Sequence, residues 1–131
     1  MMAEMSKSAA VYIALRILDN AKDAFQEFTE NAGDAFAGAK MKAYVDILEA
    51  AGINSVYAQH IDLAALRKII SILLPRAKEV FAQARANRAD TVKSAEDLAY
   101  YEVLDTIQNE LIAHEQNLRD FDLDMDLDEA S

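Results

Sequence analysis

Apolar residues recur every three or four positions along most of this chain, which is the spacing of one buried helix face. The first such pattern predicts a helix over residues 6–32, with Val11 at the start of a row of apolar residues spaced by seven. Ser6 or Ser8 is expected to cap this helix, and Gly33 supplies the left-handed residue at which helices often stop.

The same spacing predicts a second helix over residues 34–51, with Asp34 as its N-cap and Gly52 after its last turn. Such caps satisfy backbone groups that a helix end otherwise leaves unpaired. Residues 53–61 follow no clear period, and we expect a loop or a short helical turn that Ser55 caps.

A third helix is expected to follow Asp62, although Pro75 lies in its middle. Proline usually ends or begins a helix, because it lacks the backbone N–H and clashes with the preceding turn. Here the apolar rows that begin at Leu63 and Leu66 keep their seven-residue spacing across the proline. We therefore predict one long kinked helix over residues 63–89, with two helices that meet at Pro75 as the alternative.

A fourth helix is predicted to begin at Asp90 or Ser94 and to run to Asp120. Short connections between helices favour antiparallel neighbours. The sequence therefore predicts an all-α, up-down antiparallel four-helix bundle over residues 1–121, or five helices if Pro75 splits the third.

The chain ends in FDLDMDLDEAS, in which aspartates alternate with apolar residues from Phe121 to Asp128. A period of two is typical of a strand, but the predicted bundle offers no sheet edge for a strand to join. We therefore expect residues 122–131 to form a disordered acidic tail. Its interleaved apolar residues make it a candidate binding motif, for a partner's sheet or for the basic face of the third helix. The motif residues are Leu123, Asp124, Met125, Asp126, Leu127 and Asp128.

Composition supports a helical protein. The 131 residues are 53% hydrophobic and include only 3 glycines and 1 proline, so few turns are expected. The absence of cysteine excludes disulfides and thiolate metal sites and fits the cytoplasmic location that we expect. No apolar run approaches the roughly 20 residues of a membrane span, so no membrane partner is expected.

Charge is distributed unevenly along the chain, whose formal net charge is −10. An acidic surface repels phosphate, so direct nucleic-acid binding is not expected, although bases outnumber acids in residues 53–93. Some of these bases form a helical stripe, the basic stripe, which comprises Arg67, Lys78, Arg85, Arg88 and Lys93. The first helix carries an acidic ridge, which comprises Asp19, Asp23, Glu27 and Glu30. We expect charge matching between the two helices to explain both surfaces.

Two stretches, AAVYIALRIL and IISILL, are more apolar than one side of a bundle helix requires. A helix that is apolar all round is buried all round, so either the fold is more compact than a simple bundle or these stretches contact another chain, which is the alternative that we favour. That chain is either a second copy in a homodimer or a different protein. The interface candidates are Tyr12, Ile13, Ile69, Ile72, Leu74 and Tyr101.

Patterns for metal binding and catalysis are weak. The two histidines lack the Glu-x-x-His spacing of di-iron bundles, since Glu110 precedes His114 by four residues rather than three. The tail aspartates lack the glycine and the final glutamate of a calcium loop. We therefore expect no cofactor, no metal and no enzymatic activity, and we interpret His114 as a core or boundary histidine.

These patterns favour a non-catalytic protein-interaction module: an adaptor, regulator or inhibitor that acts as an oligomer or with a protein partner. The alternative is a nucleic-acid mimic of phage or mobile-element type, in which acidic ridges on the first and fourth helices imitate phosphates and inhibit a DNA- or RNA-handling protein. A second alternative is a nucleic-acid binder that uses the basic stripe.

Overall fold

The computed structural model describes the backbone of residues 2–131 and the side chains of residues 9–131. These residues form helices and turns but no strand, which confirms the predicted all-α helical bundle. Four long helices, α1 to α4, span Met2–Glu30, Ala35–Ala51, Leu63–Ala86 and Thr91–Ala113. A short helix, α5, spans Leu127–Ala130, and two 3₁₀ turns span Tyr57–Gln59 and Leu118–Phe121.

Aspartate side chains begin three of the helices, as the sequence predicts. Asp34 accepts hydrogen bonds from backbone N–H groups in the first turn of α2, Asp62 does so for α3, and Asp90 for α4. The glycines that follow α1 and α2 take left-handed conformations, with φ of 94° and 68°. The predicted start of α1 was wrong, because the helix begins at Met2, ahead of both serines expected to cap it.

The connection from α2 to α3, residues 52–62, contains a 3₁₀ turn and packs against α1. Asn54 caps this turn by accepting hydrogen bonds from two backbone N–H groups, so the prediction of Ser55 as the cap was wrong. The connection contributes three buried side chains to the core, those of Ile53, Ala58 and Ile61.

α3 continues through Pro75 without a break, which confirms a single third helix. Proline removes the hydrogen bond to the carbonyl of Ser71, four residues earlier. Ser71 and Pro75 both lie on the exposed side of the helix, where water can satisfy that carbonyl. The buried side keeps its apolar contacts across the proline, and α3 ends at Ala86.

Long-range polar contacts show the directions of the helices. The side-chain amide of Asn20 donates to Thr106 at 2.9 Å, and Arg16 lies 4.0 Å from Glu110, so α4 runs antiparallel to α1. Four-residue connections make α2 antiparallel to α1 and α4 antiparallel to α3. The helices therefore run alternately up and down, as predicted.

α2 and α4 make the most extensive contact between any two helices of the bundle. Small side chains are buried on both helices and permit this close approach. They are Ala37 and Ala43 on α2 and Ala95 and Ala99 on α4. α2 and α3 contact each other far less, so a groove lies between them with α4 beneath it.

Most of the additional apolar side chains of α1 and α3 are buried within the chain. The interface prediction was therefore wrong for three residues. Ile13, Ile69 and Leu74 are at most 8% exposed, and Ile72 is half-buried. The connection 52–62 packs on α1, and the segment after α4 packs on α3. Two covering segments require apolar surface on more sides of these helices than a simple four-helix bundle does.

α4 ends at Ala113 rather than near Asp120, so its predicted end was wrong. Glu115 has a φ of 59°, a left-handed conformation that stops the helix without glycine. Leu118 and Phe121 still reach the core from the 3₁₀ turn that follows. The apolar spacing therefore continues after the helix has ended, and periodicity alone placed the end too late.

Residues 122–131 pack against the bundle, which corrects the prediction of a disordered tail. Leu123 is 0% exposed and Leu127 is buried, whereas the alternating aspartates face solvent. The side-chain amide of Gln108 donates to the carbonyls of Leu123 and Met125 at 2.9 and 3.0 Å. The period of two reflects an extended segment with one apolar side, and the chain forms one core rather than a bundle with a separate tail.

Candidate functional site

The groove between α2 and α3, hereafter the α2–α3 groove, contains a cavity of about 500 Å³. α4 forms its floor, and α2 and α3 form its walls. The cavity is lined by Ala43, Asp46, Glu49, Ala50, Arg76, Glu79, Val80, Glu96 and Tyr100. Sequence reasoning selected none of these residues, because acids and small apolar residues on three helices resemble ordinary solvated faces until the helices are packed together.

The groove extends beyond this central cavity. A second cavity of about 370 Å³ shares Ala43, Asp46 and Glu96 with the first. A third cavity of about 200 Å³ shares Glu79 and Glu96 with it. The three cavities are therefore parts of one continuous depression along the bundle.

The α2 wall of the groove combines small side chains with the charged side chains of Lys42, Asp46 and Glu49. Ala35, Ala39, Ala43 and Ala50 line it along one side of the helix. At 1.5 Å per residue, this wall is about 22 Å long. Val92, which is 49% exposed, adds apolar surface at one end. The small side chains leave room for another segment to approach closely.

The central cavity carries an excess of negative charge. Four carboxylates face it, those of Asp46, Glu49, Glu79 and Glu96. None of them makes an ion pair with a residue whose side chain is described. The guanidinium of Arg76 lies beside the phenol of Tyr100. Burial raises the pKa of Tyr100, whereas the charge of Arg76 and its hydrogen bond lower that pKa. One cation therefore faces four anions above a partly apolar floor.

The groove carboxylates belong to three separate helices and are spread along the depression. Within the part of the chain whose side chains are described, no three histidine, aspartate or glutamate side chains are placed to hold a metal ion. Carboxylates distributed in this way suit contact with an elongated partner, because each can meet a different positive group.

A second polar cluster lies inside the bundle around Lys40, which is 8% exposed. Its Nζ lies 3.1 Å from Oε2 of Glu102 and 3.8 Å from Oε2 of Glu27. The hydroxyl of Tyr44 donates to Oε1 of Glu102 at 2.6 Å. The cluster satisfies a buried ammonium group and joins α2 to α4 and α1. The sequence holds one signal of it, since Lys40 stands between Ala37 and Tyr44 within the apolar stripe of α2.

Stability should fall at alkaline pH because of Tyr44. Burial, the hydrogen bond to Glu102 and nearby carboxylates raise the pKa of the Tyr44 phenol above its ordinary value of 10.0. The folded protein therefore keeps this proton at a pH where the unfolded chain releases it. The stabilising effect is complete below about pH 10 and is lost progressively as the pH rises further.

Urea unfolding between about pH 9 and pH 11 tests this effect. The decline in the free energy of unfolding should be less steep in Tyr44→Phe, by up to about 1.4 kcal/mol per pH unit. Equal slopes in the wild type and the variant would show that the Tyr44 proton does not contribute to stability.

The acidic ridge lies on the exposed side of α1. Among the described ion pairs, the one that involves the ridge joins Glu27 to Lys40 of α2 rather than to the basic stripe. Arg16 of α1 pairs with Glu110 of α4, and Lys40 of α2 pairs with Glu102 of α4. The prediction that the acidic ridge of α1 pairs with the basic stripe was therefore wrong. α1 and α3 contact each other less than any other pair of adjacent long helices does, so their charges do not meet.

The basic stripe is partly engaged by the C-terminal part of the chain. The guanidinium of Arg67 lies 5.1 Å from the ring centre of Phe121, and Arg85 donates to the backbone carbonyl of Ala130. These two contacts involve the residues that flank the tail motif, whereas Leu123, Met125 and Asp128 within it are bonded to Gln108 and Tyr101 of α4. The remaining stripe residues do not share one helix, which corrects the predicted stripe: Lys78 is exposed on α3, Arg88 is exposed beyond its end, and Lys93 lies half-exposed on α4, where it lines the third cavity of the groove.

Two tyrosines proposed as interface residues have partners within the chain. Tyr12 is 45% exposed, and its ring centre lies 5.7 Å from that of His114. Tyr101 donates to Asp128 at 2.6 Å, and this hydrogen bond is the main reason that the pKa of Tyr101 is raised to about 12. Nδ1 of His114 lies 2.8 Å from the carbonyl of Glu110 at the end of α4, which agrees with a boundary histidine.

No protein-family model, curated protein or solved structure matches this chain. Within residues 2–131, no helix is long and apolar enough to cross a membrane.

Proposed function

We propose that the protein is a non-catalytic interaction module that binds another protein in the α2–α3 groove. A contrast between two faces of the bundle carries this proposal. Residues 122–131 cover the face formed by α3 and α4, whereas no described segment occupies the α2–α3 groove. The open groove combines small apolar side chains on its α2 wall with charged groups on all three helices, so a partner can make both apolar and ionic contacts there.

The homodimer expected from the sequence has less support than a different partner. Three of its six contact candidates, Ile13, Ile69 and Leu74, lie in the core of the chain itself. The central cavity is acidic, although Lys42 and Lys93 line the outer cavities of the groove, and a second copy brings a further net charge of −10.

Filling the groove should abolish partner binding. The variant Ala39→Phe with Ala50→Phe adds two rings to the α2 wall at half-buried positions, where they occupy the space of a bound segment. Immobilised wild-type protein should retain a partner from an extract of the source organism, and the groove variant should retain at least about tenfold less of it.

Ala64→Phe with Ala82→Phe is the matched control, because both alanines are exposed on α3 and neither lines the groove. This control should retain as much partner as the wild type. Circular dichroism and thermal unfolding establish that both variants are folded. If the groove variant retained the same proteins in the same amounts as the wild type, the groove would not be the binding site.

The exposed acidic ridge supports a second candidate function, a nucleic-acid mimic that inhibits a DNA- or RNA-handling protein. Asp19, Asp23 and Glu30 make no ion pair with any described side chain. Carboxylates four residues apart on a helix are about 6 Å apart along its axis, so they form a regular row of negative charge. The variant Asp19→Lys with Glu30→Lys distinguishes the two functions, because it should release the target of a mimic and keep a partner bound in the groove.

A further inference from the structure

Building on the proposed function, we infer that the occupant of the α2–α3 groove is a basic amphipathic helix of about four turns that belongs to another protein. The α2 wall is about 22 Å long, and an α-helix rises 5.4 Å per turn. The segment that fits this length therefore contains roughly 15 residues.

The shape of the groove favours a helix over an extended strand. The groove runs between two helices and above a third, so an added helix can pack its side chains between theirs at the usual distance of about 8–10 Å between axes. Small side chains on the α2 wall, such as Ala39 and Ala43, permit this distance. A strand would need an unpaired sheet edge to satisfy its backbone, and the described residues form no strand.

The charges of the groove select the chemistry of that helix. In the central cavity, Asp46 and Glu49 stand on the α2 wall, Glu79 stands beside Arg76 on the α3 wall, and Glu96 lies on the α4 floor with Tyr100. A helix with an apolar stripe and lysine or arginine on both flanks would place its cations against both walls. An acidic helix would be repelled, and the phosphates of a nucleic acid would be repelled in the same way.

Neither the C-terminal segment nor a second copy fits the groove as well. Residues 122–131 are acidic and are seated on the opposite side of α3. In a second copy, Arg67 and Arg85 of the basic stripe are engaged with Phe121 and Ala130, and the remaining bases belong to a chain whose net charge is −10. A partner with a net positive charge therefore complements the central cavity better.

The probe for this inference is a fluorescein-labelled synthetic helix of 18 residues, with leucine and alanine on one face and lysine and arginine on both flanks. A second peptide of the same composition has its apolar positions scrambled, so that it keeps the charge and loses the apolar face. Fluorescence anisotropy measures the binding of both peptides to the full chain. The first peptide should bind saturably, and at least about tenfold more tightly than the scrambled one.

Two pairs of variants then locate the binding. Glu49→Lys with Glu79→Lys reverses charge on both walls, and Asp19→Lys with Glu30→Lys makes the same change in net charge on the acidic ridge. The groove reversal should weaken peptide binding at least about tenfold, and the ridge reversal by less than about threefold. Ala39→Phe with Ala50→Phe should also abolish binding, although it changes no charge.

Three results would overturn the basic-helix occupant: no saturable binding, equal binding of the scrambled peptide, or equal losses from the groove and ridge reversals. Sedimentation velocity that showed a dimer disrupted by Ala39→Phe with Ala50→Phe would assign the groove to a second copy instead. If a partner from the extract depended on the groove while the peptide did not bind, the proposed function would stand and the basic helix would be wrong. If neither bound through the groove, both proposals would fail.

Discussion

Replacing Leu123 with alanine should lower the free energy of unfolding by about 2–5 kcal/mol. The Leu123 side chain is 0% exposed and belongs to the core cluster shared by all four long helices, so its truncation removes buried contacts and leaves a cavity. The loss is a large part of the stability of a typical domain, which is about 5–15 kcal/mol. Chemical unfolding followed by circular dichroism measures it, and the melting temperature should fall by roughly 10 °C.

Asp124→Ala is the matched control, because Asp124 is the next residue and faces solvent. Its ion pair with Arg119, at 3.5 Å, joins two exposed side chains and contributes little to stability. The control should change the free energy of unfolding by no more than about 0.5 kcal/mol. Similarly small effects of both substitutions would mean that residues 122–131 are a disordered tail, as their composition first indicates.

Replacing Glu102 with alanine should lower the free energy of unfolding by about 3 kcal/mol. The substitution removes the carboxylate nearest to the buried Lys40 ammonium, at 3.1 Å, and the acceptor of the Tyr44 hydroxyl. Both groups then stay buried without their main partner, which costs more than the pair contributes when it is intact. The expected loss of stability lies at the lower end of the range for broken buried ion pairs, because 34% of the Glu102 side chain is exposed.

Glu27→Ala is the control for this cluster, because Glu27 is the more distant and more exposed partner of Lys40. It should cost less than about 1 kcal/mol. The double variant Lys40→Met with Glu102→Leu should recover most of the stability lost in Glu102→Ala, since it removes the buried charge together with its partner. A double variant that is as unstable as Glu102→Ala would show that packing rather than charge explains the loss.

Local interactions explain what could be predicted from the sequence. The aspartates that cap α2, α3 and α4 accept hydrogen bonds from N–H groups two or three residues away, so their role depends only on nearby residues. The passage of α3 through Pro75 was predictable for a related reason, because the apolar rows on both sides of the proline keep one phase. The number of long helices and their alternating directions follow from such signals and from short connections.

Periodicity was misleading where the chain leaves a helix without losing its apolar spacing. Leu118 and Phe121 continue the rows of α4, yet the helix has already stopped near Glu115. The alternation after Phe121 was read correctly as a period of two. Because the predicted bundle offers no sheet edge, this alternation predicts a disordered tail. The segment instead packs on the helices as an extended strap. The sequence does not show the surface that receives such a strap.

The sequence by itself determined the helical class of this protein, most of its helix starts and the continuity of α3. Only the tertiary structure decided that Ile13 and Leu74 face the core of the chain itself, that Lys40 is buried beside Glu102, and that an acidic groove lies between α2 and α3. Caps and helical rows depend on residues a few positions apart, whereas burial and grooves depend on how closely distant helices approach. That approach is the sum of many weak contacts, including those of the small alanines between α2 and α4, and no single stretch of the sequence contains it.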